Sequence, residues 1–168
     1  MNLIPMKKSR KNPTLGDVFV LQVDEDIYYY GKVVMEAIDC PDRFMKGMWM
    51  ISIYDYGSNS KEIPDNLSEY ELLIAPIVVN KQPWVKGYFQ TIGKMEVTDK
   101  ELSIDYGFWN VLKDEYVDLQ GNKLDRIPKY VAIYGLGSYG IVDKEVHKAL
   151  ENKFEESMRS ELNKLLKR

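Results

Sequence analysis

The 168-residue chain has one cysteine, Cys40, and one histidine, His147. A single thiol closes no internal disulfide and supplies no multi-cysteine zinc site, so a reducing, cytoplasmic setting is expected. One histidine without a Ser, Cys or second His at catalytic spacing specifies no acid–base or nucleophilic machinery. Long apolar runs are also missing. Nothing approaches the ~20 residues that cross a bilayer, and residues 1–13 hold no apolar stretch fit for a signal segment, so no membrane is expected as a partner. Neither sign of charge dominates: 23 Lys+Arg stand against 26 Asp+Glu, a formal net charge of −3. That balance argues against a general binder of phosphate backbones, and no nucleic-acid partner is expected. The G-x-S-x-G elbow, the H-E-x-x-H pair and the G-x-x-x-x-G-K-[ST] loop do not occur. The chain reads as a non-enzyme with no cofactor and no metal.

At 45% hydrophobic residues the composition is too apolar for whole-chain disorder, and the length suits one domain. Lys7, Lys8, Arg10 and Lys11 lie in an aperiodic stretch, which predicts a flexible basic arm over residues 1–13. The remainder, 14–168, is expected to form a single β-rich domain. Asp17–Val23 and Ile27–Val34 are β-branched and aromatic runs separated by Asp24-Glu25-Asp26, the pattern of an antiparallel hairpin. Further strand-like runs are Met48–Tyr56, Leu72–Val79, Trp84–Ile92, Phe108–Val111, Tyr116–Leu119 and Tyr130–Tyr134. Pro76 has no amide to donate and belongs at an edge, bulge or strand boundary. After Asp143, read as an N-cap, Val146, Leu150, Phe154, Met158, Leu162 and Leu165 recur at near-helical spacing. This predicts an amphipathic helix over 143–168 docked on the domain's own sheet. The expected fold is mostly β (β-rich α+β), a single twisted antiparallel sheet or partly open barrel with that one C-terminal helix across it.

Gly135-Leu136-Gly137-Ser138-Tyr139-Gly140 is a literal G-x-G-x-x-G after a strand and before a helix. The dinucleotide fingerprint also needs a second parallel strand after the helix, and the chain ends inside that helix, so the motif reads as a flexible turn. His147 reads as a helix-surface or partly packed residue, and Cys40 as an inert small hydrophobe. Two acidic clusters, Asp24-Glu25-Asp26 and Asp114, Glu115 and Asp118, are solvated turns or patches for a basic partner. Twelve tyrosines, five phenylalanines and three tryptophans exceed what strands need for one buried face, so some aromatics are expected at a protein-binding surface.

Gly16-Asp17-Val18-Phe19, followed across the acidic turn by Tyr30-Gly31-Lys32-Val33, resembles the opening of the immunity protein 26 family of bacterial polymorphic toxin systems. Ala75-Pro76-Ile77-Val78-Val79-Asn80, then Trp84, Gly87-Tyr88-Phe89 and Ile92-Gly93, resembles the family's middle region. The likeness covers Thr14 to Lys94. It implies a mostly β cytoplasmic immunity protein that binds and neutralises a cognate toxin in the producing cell. The partner-binding surface is expected on Asp24, Glu25 and Asp26 with the neighbouring Tyr28 and Tyr30, acids steering a basic toxin and tyrosines supplying affinity. The alternative is a small β-barrel regulatory module holding a peptide or other ligand in an aromatic groove of Tyr28, Tyr30, Trp49, Tyr54 and Tyr56.

Overall fold

The computed structural model describes residues 1–167, and Arg168, the last residue of the expected helix, lies outside them. Eight strands are present among the described residues: β1 (Asp17–Asp24), β2 (Ile27–Met35), β3 (Trp49–Ser58), β4 (Ile77–Val79), β5 (Gln90–Lys94), β6 (Tyr106–Asn110), β7 (Glu115–Val117) and β8 (Tyr130–Ile133). Three helices join them: α1 (Gln82–Val85), α2 (Asp99–Leu102) and the long α3 (Tyr139–Leu166). The fold is thus β-rich with one long C-terminal helix, as expected. Its strands divide between two sheets and close no barrel. The first sheet is antiparallel in the order β4-β3-β2-β1-β5, and the second runs β7-β6-β8 with β8 parallel to β6.

Alternation in β1 and β2 sends their side chains to two different cores. Phe19, Leu21 and Val33 face Ile51, Ile53, Trp84, Phe89, Val142 and Val146 on one side of the first sheet. Val18, Val20 and Tyr30 face Tyr54, Leu67 and Leu72 on the other. With both faces covered, the central strands are buried on alternate and intervening residues alike. Val34, Met50 and Val78 continue into a third cluster with Phe108 and Val117, which seats the second sheet against the first. Gly31 is required at its position: a Cβ there would stand 2.3 Å from the Phe19 ring and 2.9 Å from the Ser52 carbonyl oxygen.

Several local expectations are corrected. Leu72–Val79 is strand only over β4, with Pro76 just before it, and Leu72 makes an isolated bridge to Tyr54. Trp84–Ile92 is not one strand, because Pro83 in the first turn of α1 starts a helix and Gly87, at φ +84°, turns the chain into β5. Residues 1–13 are not a loose arm: Ile4 pairs with Gln22, Met6 and Ser9 donate to the carbonyls of Gly87 and Trp84, and Leu3 is buried. The apolar Leu3 outweighs the basic character of the segment. The helix starts at Tyr139, capped by the Ser138 hydroxyl accepting from the Ile141 amide, whereas Asp143 accepts from the amides of Asn2 and Leu3. Gly137 packs its bare Cα against Ile77 and the Val78 carbonyl, a packing role for the Gly-rich turn.

The largest correction concerns how α3 docks. Val142 and Val146 are buried and Ala149 and Leu150 pack beside them, but every described residue from Glu151 onward is exposed. A spacing of four residues advances about 400°, so each step drifts about 40° around the helix. Val146 and Leu162 are four such steps apart and lie on nearly opposite faces. One sheet cannot bury both.

Candidate functional site

The expected surface begins at the turn between β1 and β2, where Asp24 pairs with Ile27 and the turn is Glu25-Asp26. Asp26 takes a left-handed conformation, φ +53°, which a short polar side chain tolerates, and the Asp24 carboxylate accepts from the Glu25 amide at 2.7 Å. Asp24, Glu25, Asp26 and Ile27 are exposed, and none of the three carboxylates is in an ion pair among the described residues. Tyr28 is half-buried, with the Lys61 ammonium 5.1 Å from its ring centroid. The structure therefore presents the three acids and Tyr28 together at one end of the sheet.

Tyr30 does not join them. Its ring is fully buried against Tyr56 at 5.2 Å between centroids, Tyr56 in turn lies against Tyr70, and the Tyr30 hydroxyl donates to the Ser60 carbonyl. Burial pushes that hydroxyl's pKa up. Tyr28 and Tyr30 do share a strand face, but the loop carrying Ser60 and Ile63 covers the inner end of it. The aromatic groove fails for the same reason: Tyr30 and Tyr54 have no exposed surface, and Trp49 packs in the core on the opposite side of the sheet.

α3 brings other groups to the same end of the molecule. His147 is partly packed, its Nδ1 2.9 Å from the Asp143 carbonyl oxygen and its Nε2 3.3 Å from that of Val23, and Lys153 pairs with Asp55. These contacts carry the helix across the sheet toward the β1–β2 turn, where it leaves the protein body. On its other flank, α3 and the segments Leu73–Ile77 and Val131–Gly137 enclose an open apolar groove of about 420 Å³.

Sequence reasoning missed the main buried polar cluster. Lys32, from the Tyr-Gly-Lys-Val segment, is fully buried and donates to Ser68 Oγ at 2.9 Å, the Glu96 carbonyl at 3.1 Å and Glu101 Oε2 at 3.0 Å. All three ammonium protons are thereby used. Glu101 completes a capping box with Thr98 at the start of α2, and Tyr54 donates to its other oxygen. Burial raises the Glu101 pKa, but hydrogen bonds from Tyr54, the Thr98 amide and Lys32 outweigh it and hold the carboxyl below its ordinary value. Burial, reinforced by the hydrogen bond to Glu101, pushes the Tyr54 hydroxyl far up. The cluster is closed and satisfied, so it locks β2, β3 and α2 together and leaves no free nucleophile or base. No spacing rule links Lys32 to a carboxylate 69 residues away, but a lysine inside a run buried on both faces is itself the signal.

The family model described as Immunity protein 26 matches residues 14–117, more than half of the chain. The chain belongs to the immunity protein 26 family. No curated protein and no solved structure matches it. The span shared with the immunity protein 26 model takes in the whole first sheet with β6 and β7, including Gly31, Lys32 and Glu101, whereas β8 and α3 lie beyond it. Among the described residues of this family member, no helix is long and apolar enough to cross a membrane.

Proposed function

We propose that the chain binds and neutralises a cognate toxin in the cytoplasm of the bacterial cell that makes both, one immunity protein per toxin and without catalysis. The observation that carries this reading is membership of the immunity protein 26 family over residues 14–117. The contact surface in this proposal is the exposed end of the β1–β2 hairpin: the exposed Asp24, Glu25 and Asp26 steer a basic toxin domain, and Tyr28 docks against it. The test is co-expression with the toxin encoded beside the gene. Cells survive if the reading holds; unprotected cells and no isolable complex would reject it.

The surface has its own prediction. Changing Asp24, Glu25 and Asp26 together to Ser slows association about tenfold at low salt and much less at high salt, because the charges act by steering. Thermal stability stays within about 0.5 kcal/mol, since all three side chains are solvated. Tyr28→Ala weakens toxin binding about tenfold or more, whereas Tyr30→Ala lowers stability and leaves association unchanged. Stopped-flow binding beside thermal unfolding separates these outcomes, and an unchanged low-salt on-rate in the triple variant places the interface elsewhere.

A further inference from the structure

The strand β8 is an edge of the second sheet, and its open side faces another open edge. The amides of Tyr130 and Tyr134 donate to the carbonyls of Asp105, just before β6, and Trp109, within it, at 3.1 and 2.9 Å. With a strand period of two, Val131 and Ile133 therefore turn their N–H and C=O groups away from β6. Opposite them run residues 71–77. There the Glu71 carbonyl accepts from the Asp55 amide and the Leu73 amide donates to the Ile53 carbonyl, both in β3, and Ile74 lies beyond that pairing. Among the described residues, the backbone groups of Ile74, Val131 and Ile133 on these two facing edges have no backbone partner.

The two edges run in the same direction and are pinned at both ends. Gly137, an even number of residues after Val131 and Ile133, does donate across to the other chain, to the Val78 carbonyl at 2.7 Å, and forms a parallel bridge with Val79. At the other end the Tyr130 hydroxyl donates to Glu71 Oε2 at 2.9 Å. Between the pins the chains part around the open apolar groove of about 420 Å³. Ala75, Ala132, Ala149, Gly135 and Gly137 line it, and such small side chains let a third backbone approach. Glu145 and Lys148 stand on its α3 side with opposite charges that cancel, so the complement is uncharged. An apolar small molecule would fill the volume but leave the facing N–H and C=O groups unbonded, and a helix uses its own backbone groups internally. An extended chain satisfies both requirements. We propose that this groove binds a short, extended, uncharged segment of a partner protein, apolar at alternate positions, as an added strand between β8 and residues 72–75. This binding is separate from toxin neutralisation at the hairpin end and requires no toxin.

Calorimetric titration of the full chain with acetylated and amidated pentapeptides Thr-X-Thr-X-Thr, X being Ala, Val, Leu or Phe, tests this. At least one is expected to bind with a dissociation constant below about 1 mM. The bound peptide slows hydrogen exchange of the Val131 and Ile133 amides about tenfold or more and leaves those of Ala132 and Tyr134, already directed at β6, unchanged. N-methylation of alternate peptide amides weakens binding about tenfold or more, because each lost bond leaves a groove carbonyl unpaired. Val131→Pro removes an outward N–H that β6 does not use and weakens the unmodified peptide by about the same factor. The methylated peptides need no change in the protein, so their result stands whether or not that variant folds. No binding by any of the four peptides, or protection confined to amides other than Val131 and Ile133, would overturn the proposal. Binding that N-methylation leaves unchanged would overturn it in favour of an apolar small molecule as the occupant.

Discussion

Lys32→Met is expected to lower folding stability by about 3–5 kcal/mol. That loss moves the thermal midpoint down by about 10 °C or more in a chain of this size. Methionine fills most of the volume but removes the ammonium that faces Glu101, at 2.9 Å from one carboxylate oxygen and 3.0 Å from the other. Water cannot replace it, because the two side chains are 0% and 1% exposed. The penalty comes from the carboxylate left behind. Adding Glu101→Gln, which removes the charge and keeps one carbonyl oxygen to accept from the Thr98 amide, is therefore expected to recover part of the loss.

The pH dependence follows from the same pair. In the native protein the Glu101 pKa is depressed below its ordinary 4.5, so its stabilising contribution is complete above that value and is lost as pH falls through the folded-state pKa. Without Lys32 the carboxyl pKa rises and Glu101 folds neutral at a pH where the wild type still carries the charge. The stability gap between Lys32→Met and wild type accordingly narrows as pH falls from the variant's raised carboxyl pKa toward the depressed one of the wild type. Urea melts at pH 7 and pH 3.5 check this, and an equal gap at both would show that the ion pair does not control the cost.

Phe19→Ala should cost about 3–5 kcal/mol, through lost transfer energy and a cavity the surroundings cannot fill. The ring lies at the centre of the main core, stacked on Phe89 at 4.4 Å and edge-on to Trp84 at 5.3 Å. Trp84 is held by its indole N–H donating to Thr91 Oγ1 at 3.1 Å, so collapse is limited. Phe154→Ala makes the same chemical change on an exposed residue and is expected to leave dilute-solution stability within about 0.5 kcal/mol. Equal losses at the two sites would contradict the assignment of core and surface.

The central hairpin was legible because β1 and β2 alternate cleanly: Val18 and Val20 separate from Phe19 and Leu21 in the structure as strand period requires. The division into two sheets was not, since pairing of β6 with β8 and seating of Phe108 and Val117 against Val34 and Met50 depend on contacts distant in sequence. Composition alone misled at the N-terminus, where four basic residues hid the apolar Leu3. For the terminal helix, the pattern of every fourth residue gave helix but not docking, because the drift of that pattern splits the stripe into a buried half and an exposed half. At the candidate site the acids were readable as a turn. Tyr30 was not separable from Tyr28, because the loop that covers Tyr30 fully and Tyr28 only in part comes from residues 58–63.

The most direct measurement of the neutralisation reading is a titration of the purified cognate toxin domain with this protein, following residual toxin activity and complex formation together. Stoichiometric neutralisation predicts that activity falls linearly to zero at one immunity protein per toxin, with a complex of the same ratio by calorimetry. Full protection at a small fraction of that ratio, or a toxin that stays active with no complex formed, would contradict it.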